Sequence, residues 1–141
     1  MTKNVLIAVN SHGDVKHFHT TSGKQLNEIK VDTTTFITCD YRPDGHAFLT
    51  AGYDGIVRVY DEQKRELAAT LEGGGTGQPG HTNRVVCAKY VQDDPNLIVS
   101  GGWDNNVCIW DVRQQSVARK ILDIKICGDA IDIHDGFILS G

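Results

Sequence analysis

A serine, a histidine and an aspartate are the residue types that activate a hydroxyl for acyl transfer, and this chain carries Ser100, His81 and Asp104 within one short region. The local pattern argues against that chemistry. Ser100 closes an apolar run, Leu97 to Ser100, with no Gly-x-Ser-x-Gly elbow to expose a nucleophile. The stretch from Gly73 to Gly80 is rich enough in glycine to cradle a phosphate, yet it lacks the Gly-Lys-Ser/Thr ending of a Walker loop. It reads as a flexible connection that could carry a contact surface. His17 and His19 would share one strand face and could start a metal site, but no third ligand accompanies them, so an exposed strand face is expected. Without paired carboxylates at matched positions or a nucleophile with a base, catalysis is disfavoured, and neither a metal nor a cofactor is expected.

The elements that would position these residues are short strands. Leu97 to Ser100 and Asn106 to Trp110 are apolar and β-branched runs joined by Gly, Asp and Asn, the signature of a hairpin. Within the second run Val107, Ile109 and Asp111 alternate with Cys108 and Trp110, so both faces of that strand carry apolar groups. Such a sheet is suited to lie between two others. The same pattern occurs earlier, where Phe48 to Gly55 and Val57 to Asp61 match position by position, with Thr50, Asp54 and Tyr60 spaced like Ser100, Asp104 and Trp110. A weaker copy opens the chain, with Ala8 and His12 in place of the hydroxyl and the aspartate, Gly13 aligned with Gly55, and Phe18 with Tyr60. A fourth begins at Ile126 and reaches Ser140-Gly141. Ala8, Thr50, Ser100 and Ser140 are 42, 50 and 40 residues apart, the long interval being explained by the glycine-rich insert and one extra residue between Asp93 and Asn96.

Composition narrows the class further. The 141 residues carry a formal net charge of −4 and are 40% hydrophobic, enough for one core and with no basic stripe for a nucleic acid. The pairs Lys64-Arg65 and Arg119-Lys120 are isolated and read as solvated loops or strand edges. No apolar run approaches the roughly 20 residues that span a bilayer, and Met1-Thr2-Lys3-Asn4 lacks the form of a signal peptide, so no membrane partner is expected. Cys39, Cys87, Cys108 and Cys127 show no Cys-x-x-Cys spacing, and each falls in an expected strand as a buried, reduced thiol. This favours a reducing compartment, cytoplasmic or nuclear.

A repeat of roughly 40 to 45 residues with four strands marks a propeller blade, and the chain resembles the WD-repeat β-propeller family over essentially its whole length. The resemblance rests on Gly80-His81, Ser100, Gly101-Gly102-Trp103-Asp104 and Ile109-Trp110-Asp111, and on the partial copy around Thr50, Asp54 and Tyr60. It implies an all-β fold of antiparallel four-stranded blades. It also implies that His81, Ser100, Asp104 and Trp110 form a structural hydrogen-bonded tetrad rather than a triad. Thr50, Asp54 and Tyr60 would form a partial tetrad, because Asp32 stands where a histidine would align. That blade is expected to be the looser one.

The resulting division is a partial blade at 4–31, full blades at 34–71 and 81–122, and the first two strands of another at 126–141. About 13 strands are too few to close a ring of four to eight blades. The chain is expected either to be a fragment of a longer propeller, which the stop at Ser140-Gly141 favours, or to complete its ring by self-association. The family implies a non-catalytic scaffold that binds other proteins or peptides. Trp110-Asp111-Val112-Arg113 also matches the Trp-Asp-x-Arg sequence of WD-repeat substrate receptors of cullin-RING ubiquitin ligases, which makes Arg113 a candidate partner contact.

Overall fold

Alternating apolar residues on both faces of short β-branched runs can be buried only if sheets stack on sheets. The computed structural model, which describes residues 4–31, 33–73 and 79–141, shows that arrangement. Thirteen strands and no helix occur among the described residues. The first sheet is β1 (Val5–Val9), β2 (Asp14–His19) and β3 (Gln25–Lys30). The second is β4 (Phe36–Tyr41), β5 (Ala47–Gly52), β6 (Val57–Asp61) and β7 (Glu66–Leu71). β8 (Val85–Val91), β9 (Asp94–Gly102), β10 (Val107–Asp111) and β11 (Ser116–Ile121) form the third. β12 (Ile131–His134) and β13 (Phe137–Ser140) form the fourth. Every pairing is antiparallel between chain neighbours, so each sheet is a meander, and the sheets do not close into a ring within the chain.

Each pair of adjacent sheets has its own core. Between the first and second lie Val15, Phe36, Phe48 and Tyr60. The largest core lies between the second and third, with Leu49, Val57, Leu71, Ile98 and Trp110 among its members. Val86, Val99, Val107, Ile126 and Ile131 fill the space between the third and fourth. The alternation in β10 therefore does what its pattern predicts, since Cys108 and Trp110 enter one core while Val107 and Ile109 enter the next.

The repeat is also written in the backbone. Gly13, Gly55 and Asn105 occupy equivalent hairpin turns with φ of 80°, 75° and 59°, and Arg65 and Gln115 take the left-handed conformation in the following turns at φ 57° and 50°. Only small or locally hydrogen-bonding residues adopt that region at low cost, which is why Gly and Asn recur in the first of these turns. The register of β2 with β3, β6 with β7 and β10 with β11 shifts by one residue at the same place in each sheet, beside Phe18, Tyr60 and Trp110. Such bulges increase local twist and re-aim the side chains around them.

The fourth repeat departs from its expected layout. Ile126 and Cys127 are not in a strand; the pairing begins at Ile131. Gly128 takes φ 64° ahead of the strand, and Ile131-Asp132-Ile133-His134 alternates and is closed by the Asp135-Gly136 turn with φ 48° and 76°. Ile126 is nevertheless buried and packs against Gly101, where an added Cβ would meet its Cγ1 at 2.8 Å. Cys127 is exposed, against the expectation of a buried thiol, whereas Cys87 and Cys108 are buried and all four cysteines are free. Burial pushes the thiols of Cys39 and Cys108 up to about 11 and that of Cys87 to about 12, so they are poor nucleophiles.

Candidate functional site

His81 lies on the connection entering β8, Ser100 in β9, Asp104 in the turn after it and Trp110 in β10, and the fold brings all four together. The His81 Nδ1 lies 3.0 Å from Asp104 Oδ1, and its Nε2 lies 2.7 Å from Ser100 Oγ. The Trp110 indole Nε1–H donates to the same Ser100 oxygen at 2.7 Å. One proton arrangement satisfies every atom: Nδ1–H donates to the carboxylate, Ser100 O–H donates to Nε2, and Ser100 Oγ accepts from the indole. Asp104 also accepts the backbone N–H groups of Thr82 and Asn106 at 3.1 and 3.3 Å, which ties the connection to the turn. Lys120 Nζ donates to the carbonyls of Gly80 and Pro79 at 3.0 and 3.3 Å, so a strand-edge lysine anchors the segment that delivers His81. Gly80 must be small, because a Cβ there would lie 2.7 Å from Trp110 Cη2.

The serine, histidine and aspartate thus sit at the distances of a hydrolytic triad, but Ser100 and Trp110 are fully buried. The oxygen that would attack already accepts the indole proton, and no substrate reaches it. The arrangement locks a connection onto a hairpin. Burial drives His81 below its ordinary range, overcoming the neighbouring carboxylate. At Asp104 burial works upward, but the donors around it outweigh burial and hold the carboxyl below its ordinary range. A histidine held neutral in the folded state stabilises above its unfolded pKa of about 6.5, and that contribution is lost as pH falls below it. Asp104 acts in the same direction at lower pH. Urea midpoints should therefore fall for the wild type between about pH 7 and 5, and His81→Gln should lower the pH 7 midpoint while flattening that slope. An unchanged slope would show that His81 is not the titrating group.

In the second sheet the outcome differs. Asp32, the expected substitute for the histidine, lies outside the described residues, as do Gly74 to Gln78 of the glycine-rich insert. Asp54 has a partner all the same: Arg58 Nη2 donates to its Oδ2 at 2.6 Å, and the Arg58 guanidinium lies 5.9 Å from the Phe36 ring centroid. Arg58 is paired in register with Thr50, as Cys108 is with Ser100, so an arginine occupies the place of a small apolar residue. Its signal was an arginine inside the apolar run Val57 to Tyr60, four residues after Asp54. Thr50 Oγ1 is buried with no hydrogen-bond partner among the described residues. Tyr60 stacks on Phe48 with centroids 5.0 Å apart. Asp54 is thus paired within its own sheet, and the Asp32 end of the expected network lies outside the described residues.

The histidines of the first sheet also depart from expectation. His17 is buried, not exposed: its ring meets Phe48 edge-on at 5.2 Å and its Nε2 lies 3.2 Å from Glu62 Oε2. His17 shares its face of β2 with Val15, and that face packs on the aromatic core of the second sheet. His19 Nδ1 contacts Ser22 Oγ at 3.0 Å. No group of three or more metal-ligating residues occurs among the described residues. Arg113 is exposed and forks onto Asp111, with Nε and Nη2 at 3.0 and 2.7 Å from its two oxygens. That fork holds the Asp111 carboxyl below its ordinary range.

Beside the buried network lies an exposed one that the sequence did not single out. Tyr53 and Trp103 occupy equivalent positions just before Asp54 and Asp104, and each is 53% exposed. The Arg84 guanidinium carbon lies 4.1 Å from the Tyr53 ring centroid and 4.2 Å from that of Trp103. Arg84 O accepts Trp103 N–H at 2.9 Å, and Thr35 O accepts Tyr53 N–H at 3.0 Å, so the two sheets present their aromatics through the same backbone contact. Next to Tyr53 an open groove runs past Ser11, His12, Thr33, Thr34 and Thr35. Aromatic and arginine side chains held rigidly at a surface are those that dominate protein interfaces.

The family model described as "WD domain, G-beta repeat" matches residues 23–61 and 75–111, more than half of the chain. The chain belongs to the WD-repeat family. It is 33% identical over 87 residues to WD repeat-containing protein 1 of Gallus gallus, covering 61% of this chain and 14% of that protein. It is 25% identical over 108 residues to the guanine nucleotide-binding protein G(I)/G(S)/G(T) subunit beta-1 of Homarus americanus, covering 77% and 30%. A third relative, Protein SLOW WALKER 1 of Arabidopsis thaliana, is 32% identical over 98 residues, covering 67% and 17%. The chain spans less than a third of each of these relatives. Family and fold together support a protein-interaction scaffold.

Proposed function

We propose that this chain is a non-catalytic part of a WD-repeat scaffold and that it docks other proteins on the face formed by the turns after β5 and β9 and the connection into β8. The observation that carries this reading is the Tyr53, Arg84 and Trp103 stack, half exposed on the surface, with Asp104 next to Trp103 bonded to His81 and Thr82 on the connection into β8. Large aromatics left exposed on rigid turns contribute nothing to the core and suit an anchor for a partner. The test is affinity capture from a cell extract, comparing wild type with a Tyr53→Ala, Arg84→Ala and Trp103→Ala triple variant. The reading expects a defined set of captured proteins that the triple variant loses at unchanged thermal stability. An identical set from both would sink it. The buried thiols fit a reducing compartment, cytoplasmic or nuclear.

A second reading concerns the ends of the array. Leu6 and Leu26 on the first sheet, and Phe137 and Leu139 on β13, are exposed at 54%, 45%, 75% and 63%. Apolar sheet faces of this kind are covered in an assembled propeller by further blades, supplied either by a longer chain or by a second copy. Light scattering coupled to size exclusion separates the two: a discrete dimer supports self-completion, and a monomer or polydisperse aggregate supports blades from elsewhere. The exposed Arg113, already oriented by Asp111, fits the adaptor contact of a ubiquitin-ligase receptor. Arg113→Ala, with binding to the purified adaptor as readout, tests that alternative.

A further inference from the structure

We infer that Arg84 is the receptor for a carboxylate, so that the docking face takes an acidic segment of a partner protein. The inference rests on the docking reading above and adds the chemistry of the occupant. With the Tyr53 and Trp103 rings packed against the guanidinium, its faces are engaged and its N–H edge is what remains for a ligand. Nε is buried and out of a ligand's reach, so the edge on offer is that of the two Nη groups, and Arg84 has no ion-pair partner among the described residues. Beside this face Asp54 is ion-paired with Arg58, and the Asp104 carboxylate accepts the His81 N–H. What the face lacks is an anion with a planar pair of acceptor oxygens lying in the guanidinium plane, which is the geometry of a glutamate or aspartate side chain. A phosphate monoester brings about two negative charges and would call for more than one cation. The groove beyond Tyr53, lined by Ser11, His12 and Thr33 to Thr35, offers hydroxyl and imidazole groups along which the flanking backbone of such a segment can lie.

The two tryptophans make the test direct, because Trp110 is fully buried and Trp103 is exposed beside Arg84. The probe is an acetylated, amidated octapeptide of alternating glutamate and leucine, with glutamine and phosphoserine versions of the same peptide, read by Trp103 emission. Saturable quenching by the glutamate peptide is expected. It should weaken about tenfold or more with the glutamine peptide and with Arg84→Gln, and it should fall with added salt. Arg84→Lys keeps the charge but loses the fork, and should recover only part of the affinity. Equal binding of glutamate and glutamine peptides, insensitive to Arg84→Gln, would overturn the carboxylate assignment while leaving the docking face intact. Arg84-dependent binding of the phosphoserine peptide alone would overturn it in favour of a dianion, and no binding of any peptide would overturn it outright. Failure of the docking reading itself shows separately, as unchanged capture by the triple variant.

Discussion

Trp110→Ala should destabilise the chain by roughly 3 to 5 kcal/mol, measured by urea or guanidinium unfolding. The indole is fully buried between the second and third sheets and is the largest side chain in that core, so truncation leaves a cavity that strands on both sides are too constrained to fill. It also removes the N–H that Ser100 Oγ accepts, deep inside the hairpin of β9 and β10. Trp110→Phe separates the two effects: it keeps most of the packing and loses only the hydrogen bond, and should cost about 1 to 2 kcal/mol. A melt of Trp110→Ala indistinguishable from wild type would mean that β10 does not pack as described.

Asp54→Ala should cost about 3 kcal/mol, because it strands the Arg58 guanidinium in a site where little water reaches it. Arg58 is 9% exposed, Asp54 Oδ2 is its charged partner, and Nη1 is buried with no partner among the described residues. Replacing both residues follows a different rule from breaking the pair. In the third sheet the position of Arg58 is filled by Cys108, a small side chain that suits the core. Asp54→Ala combined with Arg58→Cys should therefore recover most of the loss, and a double-mutant cycle would show strong coupling. Additive losses would mean that the two residues act independently.

Much of this was legible from residues alone, for identifiable reasons. Strand positions followed from period-two alternation, and the tetrad of the third sheet followed from the resemblance of His81, Ser100, Asp104 and Trp110 to the WD-repeat pattern. What was not legible depended on contacts distant in sequence. His17 lies on the same face of β2 as the core residue Val15, and what alternation alone does not show is that Phe48 of the next sheet and Glu62 give an imidazole partners there. Ile126 looks like a strand start because it is apolar, and it is buried, but a bend with Gly128 at φ 64° follows and the strand begins at Ile131. Arg58 was hidden for the opposite reason: a charge in an apolar run is ambiguous until its partner four residues away is placed on the same side of the sheet. The Tyr53, Arg84 and Trp103 stack joins two repeats, and no pattern inside one repeat reveals it.

One tryptophan of this chain, Trp110, is locked behind the surface, and the other, Trp103, is presented on it. Hydrogen exchange at the two indole N–H groups of the 15N-labelled chain tests both halves at once. Trp110 Nε1–H, donated to Ser100, is expected to exchange only when the domain unfolds, while Trp103 Nε1–H exchanges at nearly the rate of a free indole. Fast exchange at Trp110, or equal protection of the two, would contradict this placement.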